Sequence, residues 1–136
     1  MRVAAVLGVV TLLGLSSLAL IWHGSREVAL IAGAILLVVA LALLAVSRRQ
    51  LGEAFSVGPQ AKVLVTHGLY SRIPHPMYAF LDLALLGAIT MIRIPWLLIA
   101  WAGLIAVQAW QARREARVLE QAFGEAYSSY RRRTLW

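Results

Sequence analysis

Residues 77–110 read MYAFLDLALLGAITMIRIPWLLIAWAGLIAVQAW, with charge only at Asp82 and Arg93. A helix needs about 20 apolar residues to cross a bilayer, so this run is too long for one span. It breaks at Arg93-Ile94-Pro95, because Pro95 has no backbone N–H and biases Ile94 away from helical dihedrals. The stretch therefore predicts two helices, about 77–92 and 96–110, joined by a sharp turn. Each is short for a full crossing, which calls for helix continuing into the polar flanks or for locally thinned lipid.

Two further apolar runs lie upstream. Val3–Trp22 and Val28–Val46 are free of charge and flank the polar turn His23-Gly24-Ser25-Arg26-Glu27. Ser25 is placed to cap the second helix. The two runs predict a transmembrane hairpin over residues 1–46. The first run exceeds the 7–15 residues of a signal-peptide core and has no small-x-small site before His23, so it reads as an uncleaved anchor. With 61% hydrophobic and 14% charged residues in a 136-residue chain, a soluble core could not hide the apolar surface. The expected fold is an all-α integral membrane protein. It has about four transmembrane helices, a cytoplasmic interfacial C-terminal helix and a small β-hairpin-like segment in the central loop.

The net charge is +7. On a nucleic-acid binder such an excess would track phosphates. Here the basic residues sit mostly at the ends of apolar runs, so no nucleic-acid partner is expected. With four spans, eleven of the thirteen basic residues fall on one side: Arg2, the group Arg48, Arg49, Lys62 and Arg72, and six in the tail. Only Arg26 and Arg93 face the other. The positive-inside bias then places both termini and the central segment in the cytoplasm, at the inner membrane in a prokaryote. The chain has no cysteine, which excludes disulfides, thiolate metal sites and a cysteine nucleophile. No metal site is expected.

The chemically interesting residues lie in the second unit, residues 47–136. His75, Tyr78 and Asp82 are spaced i, i+3, i+7 and share one helix face, and Pro76 suits a first helical turn. Asp82 is the one acid well inside an apolar run, a costly place that marks either a polar partner or reach to interfacial water. Gln108, Gln111 and Glu115 repeat the same spacing on the returning helix, so two polar faces converge at the cytoplasmic level. The tail from Gln111 to Tyr130 is amphipathic, with Ala116, Leu119, Phe123, Tyr127 and Tyr130 on one side, and Gly124 is expected to bend it. Arg131-Arg132-Arg133 reads as a contact to anionic lipid. Between the hairpins, Phe55-Ser56-Val57 and Lys62-Val63-Leu64-Val65 read as short extended pieces and Thr66–Tyr70 as a turn.

Leu64-Val65-Thr66-x-Gly68-x-Tyr70, then His75-Pro76-Met77-Tyr78, then Glu115 and Phe123-Gly124-x-x-Tyr127-x-x-Tyr130 together resemble a known family. It is the isoprenylcysteine carboxyl methyltransferases and their phospholipid methyltransferase relatives, and the resemblance runs from about Leu51 to Arg133. It implies S-adenosylmethionine as cofactor. Lys62, Val63, Leu64 and Val65 would supply contacts to its adenosyl end, and Tyr70 would lie against it. His75, Pro76, Met77 and Tyr78 would wrap it, and Glu115 would bind its polar groups. His75, Tyr78 and Glu115 are then the catalytic candidates, with Asp82, Gln108 and Gln111 toward a membrane-embedded, lipid-like acceptor. A sulfonium and an ammonium suit a tyrosine face and a carboxylate.

The chain departs from the family pattern at Pro74, Phe80, Gln111 and Ala116, where an arginine, a glycine, an arginine and a second glutamate are usual. Gln111 removes a guanidinium that would hold a carboxylate bidentately. Two alternatives share the scaffold: a sterol-reductase-like enzyme using NADPH, and a non-catalytic membrane protein.

Overall fold

The computed structural model describes residues 2–52 and 64–134. The elements are α1 (Arg2–His23), α2 (Arg26–Leu51), a 3-10 turn (Gly68–Ser71), α3 (Pro76–Ile92), α4 (Leu97–Phe123) and α5 (Glu125–Arg133). The regular elements among the described residues are all helices, with no strand. Leu64–Thr66 has no regular structure, so this part of the expected β-hairpin-like segment does not form. Among the described residues no strand lies beside it, and a lone extended piece of this length is not stable as a strand. The other residues assigned to extended pieces, 55–57 and 62–63, lie outside the described residues.

Among the described residues one helix, α2, is long and apolar enough to cross a membrane; the apolar helical stretches Leu7–His23 and Pro76–Ile92 are shorter. The 17 residues of α3 span about 25 Å, somewhat less than the roughly 30 Å of a hydrocarbon core. Large apolar side chains face outward along the bundle, among them Leu12, Leu15, Ile31, Ile35, Val38 and Ile99. A band of that extent would be a liability in water and is ordinary against lipid.

The helix starts follow their local chemistry. The Ser25 Oγ accepts from the Val28 N–H at 3.2 Å, and Pro76 occupies the first turn of α3. At the α3–α4 turn Arg93 takes a left-handed conformation, φ 60°, which costs a non-glycine residue about 1 kcal/mol. Its guanidinium donates to the Ile21 carbonyl at 2.5 Å.

Packing centres on α3. Gly33 of α2 and Gly87 of α3 lie back to back. A Cβ added to Gly33 would stand 2.6 Å from the Gly87 carbonyl oxygen, and one on Gly87 would stand 2.7 Å from the Leu37 nitrogen. Such close backbone approach is how helices gain dispersion energy without a hydrophobic drive in lipid. Ile21, Leu86, Ile89 and Trp101 form the buried cluster joining α1, α3 and α4. Within it the Ser17 and Thr90 hydroxyls pair at 2.6 Å, and the Trp101 indole donates to the Asp82 carbonyl at 3.0 Å.

The Arg93–Ile21 bond draws the end of α1 to the α3–α4 turn, so the two short turns share one end of the bundle. Ser47, Tyr70, Pro76 and Tyr127 are buried toward the opposite end. The helix expected over 96–110 and the tail helix from 111 are one continuous element, α4. Leaving the apolar run at Trp110 changes the solvent but interrupts no backbone hydrogen bond. The first interruption is Gly124, whose φ of 51° ends α4 and starts α5, as its position in the tail predicts.

Candidate functional site

α3 and α4 run antiparallel, and the residues spaced i, i+3, i+7 on each meet in register. The Tyr78 hydroxyl donates to Glu115 Oε1 at 2.6 Å, and His75 Nδ1 lies 3.4 Å from Glu115 Oε2. The Gln111 amide reaches the same carboxylate at 3.5 Å. The His75 and Tyr78 rings stack, with centroids 5.7 Å apart and planes 21° from parallel. Two turns deeper, the Gln108 amide bonds the Asp82 carboxyl, whose Oδ1 is buried without a hydrogen-bond partner. Asp82 forms no ion pair with Arg72 or a tail arginine among the described residues.

Electrostatics set the state of this cluster. Burial pushes the Glu115 carboxyl upward, but hydrogen bonds from His75, Tyr78 and Gln111 together with the His75 charge outweigh it, so its pKa falls below the ordinary value. It is an anion at neutral pH. Tyr70 and Tyr130 are pushed to about 12, mainly by burial, and Tyr127 is raised for the same reason. Their phenols are therefore neutral hydrogen-bond donors.

The chain has four tyrosines, and all four gather around Glu115. Tyr78 touches it, while Tyr70 and Tyr127 feel its charge. Tyr130 donates to the Tyr70 carbonyl at 2.7 Å and packs its ring 6.2 Å from that of Tyr127. This bond folds α5 back over the 3-10 turn. The turn itself rests on α2: the Leu69 N–H donates to Gln50 Oε1 at 2.8 Å, and any Cβ at Gly68, φ 60°, would collide with the Gln50 side chain.

The sequence-predicted residues thus fall into groups. His75, Tyr78, Gln111 and Glu115 form one hydrogen-bonded cluster, with Tyr70 beside it. Asp82 and Gln108 form a second pair on the same interface. Met77 is half-buried on α3, and Pro76 is fully buried beneath the cluster. Leu64 and Val65 are half-buried, and Lys62 and Val63 lie outside the described residues. Phe80 and Ala116, two of the departures, are both buried.

The sequence places Tyr127 and Tyr130 on one side of the amphipathic tail without a link to Tyr70, and it marks no part for Gln50 or Gly33. The signal for the tyrosines was present in their continuation of the Ala116–Leu119–Phe123 stripe past Gly124. Gln50 gave none, since its bond spans 19 positions.

A family model described as phospholipid methyltransferase matches residues 28–126. Comparison with curated proteins and with solved structures returns no match.

Proposed function

The chain belongs to the phospholipid methyltransferase family, and from that premise we propose that it transfers a methyl group from S-adenosylmethionine to a lipid-like acceptor at the cytoplasmic face of a membrane. The observation that carries this reading is the Glu115 carboxylate, ionised and surrounded by Tyr78, His75 and Gln111 beneath neutral phenols. The proposal includes a four-span topology with both termini cytoplasmic.

The donor set suits the cofactor. An ionised carboxylate beside tyrosine faces attracts sulfonium and ammonium cations, and among the described residues no guanidinium bonds Glu115. Glu115, Tyr78 and Tyr70 would hold the cofactor's polar end, with His75 and Met77 alongside and Leu64 and Val65 toward the adenosyl group. When bound, S-adenosylmethionine supplies an electrophilic methyl on a sulfur that departs as a neutral thioether.

The protein's share is alignment and exclusion of water. α5, latched through Tyr130, closes the water-facing side. A carboxylate or thiolate acceptor needs no base, whereas an amine must lose a proton. His75, whose Nδ1 faces Glu115, is placed to receive it, with Glu115 stabilising the imidazolium. Asp82 and Gln108 lie where the acceptor's polar group would descend between α3 and α4. Gly87, spent on packing against α2, gives an acyl chain no room; Gly103 has nothing within 4 Å of a built Cβ. Gln111 offers an amide rather than a guanidinium fork, which favours a phospholipid-type acceptor over a prenylcysteine carboxylate.

Calorimetry on detergent-purified protein tests the reading. Saturable binding of S-adenosylhomocysteine, lost in Glu115→Ala and Tyr78→Ala, is the expected result. Binding of NADPH instead would convert the assignment to a reductase. Silence with both ligands would leave a non-catalytic scaffold.

A further inference from the structure

A cleft of about 360 Å³ opens beside α4 and α5, lined by Glu120, Tyr127, Ser128, Arg131 and Arg132. Two guanidiniums face one acid there. Tyr127 is only 3% exposed. Its hydroxyl feels the charges of Arg131 and Glu120, which places it at the cleft wall, and it has no hydrogen-bond partner among the described residues. The ring is buried while the hydroxyl stays open to the cleft, since Asp82 Oδ1 is the buried side-chain atom left without a partner among the described residues. Arg131 forms no ion pair among the described residues, and Arg132 spends only its Nε, on the Ser128 carbonyl at 3.4 Å. The cleft therefore presents one unused phenol donor and two guanidiniums with free N–H groups, a set that matches phosphate oxygens.

The depth of the cleft selects the source of the phosphate. On α4 the Arg114 guanidinium covers the Trp110 ring at 4.8 Å, a pairing suited to the membrane–water boundary. Glu115 lies five residues beyond Trp110, about 7–8 Å along the helix. The Tyr130–Tyr70 bond returns α5 to that level. The hydrocarbon core gives way to headgroups over roughly 5–8 Å on each side, so the end of α5 stands among lipid phosphates.

We propose that the cleft between α4 and α5 binds the phosphate of an anionic phospholipid headgroup through Arg131, Arg132 and the Tyr127 hydroxyl, at a site separate from methyl transfer. The site requires membrane association and does not depend on the methyltransferase assignment. Because Tyr127 and Tyr130 belong to the same short helix, an occupied cleft also holds the α5 latch in place.

Native mass spectrometry of the full chain, stripped of lipid and then offered phosphatidylglycerol or phosphatidylcholine, tests this. Wild-type protein is expected to retain phosphatidylglycerol in preference. Arg131→Gln/Arg132→Gln should lower that retention about tenfold or more, at roughly 1 kcal/mol per basic residue. Arg113→Gln/Arg114→Gln, equally basic but outside the cleft, should leave it unchanged. Equal retention of the two lipids, or equal losses in the two double variants, overturns the proposal. Inorganic phosphate at millimolar concentration should leave the lipid bound; its displacement would assign the cleft to a soluble phosphate and overturn the lipid source. Circular dichroism on both variants checks that the helices are intact.

Discussion

Glu115 is the residue on which the most partners depend. Its lowered pKa has a definite consequence for stability. The contribution is complete above the ordinary glutamate value, 4.5, and is lost as pH falls through the lowered value in the folded protein. The melting temperature in detergent should therefore be flat with respect to this group from pH 5 to 8 and drop on the acid side. Glu115→Gln should flatten that acid limb, and an unchanged limb would remove Glu115 from it. Asp82 makes the opposite case, a buried acid whose Oδ1 nothing satisfies. Asp82→Asn keeps the bond to Gln108 and removes the charge. It should hold or raise stability by about 1 kcal/mol, leave S-adenosylhomocysteine affinity intact and lower methyl transfer at least tenfold. Loss of cofactor affinity would instead move Asp82 to the cofactor side. These residues were legible because a fixed helical spacing puts His75, Tyr78 and Asp82 on one face and Gln108, Gln111 and Glu115 on another. What the spacing lacked was the partner assignment, since it does not say that Tyr78 rather than His75 makes the short bond.

The helices divide into those set by backbone fit and those set by side-chain ties. α2 and α3 are joined through Gly33 and Gly87, where no side chain fits. Gly87→Ala places a methyl 2.7–2.8 Å from backbone atoms of Leu37 and Gly33 and should destabilise by about 1–3 kcal/mol. Gly103→Ala meets nothing and should be neutral or stabilising by up to about 1 kcal/mol, because alanine favours helix. Thermal melts of the two variants compare them directly, and equal effects would refute the close crossing. α5 is a side-chain case. Tyr130→Phe removes its bond to the Tyr70 carbonyl, so amide exchange in residues 125–133 should accelerate while that in α3 stays slow. Element boundaries were the harder reading. Pro95 and Gly124 announce themselves, but the continuity of α4 through Trp110 does not. A change from apolar to charged residues resembles a boundary although the backbone ladder continues. The glycine crossing was not legible: Gly33 and Gly87 sit in runs whose apolar residues carry no distinguishing pattern.

For the molecule as a whole, the proposed four-span topology puts eleven basic residues on one side against two on the other, which makes orientation the property most open to direct measurement. The chain contains no cysteine, so single replacements report without background. Ser129→Cys is expected to react with an impermeant maleimide only after the cytoplasmic side is opened, and Ser25→Cys from the outside of intact cells. The reverse pattern would invert the topology, and labelling of both from one side would dismiss the four-span arrangement. The membrane class was readable from composition, because no 136-residue water-soluble core accommodates 61% hydrophobic residues. The way α1 attaches was not, since Ser17–Thr90 and Arg93–Ile21 join positions more than 70 apart. The mode of that attachment has a practical outcome. The family match begins at residue 28, beyond α1, and α1 is held to α3 and α4 by the Ile21 cluster together with a hydroxyl pair, one arginine and the approach of Gly14 to Trp101. A polypeptide severed within the Gly24–Ser25 turn should therefore yield two fragments that find each other in the lipid when produced together, and a Thr90→Val partner fragment should recover its complement less well.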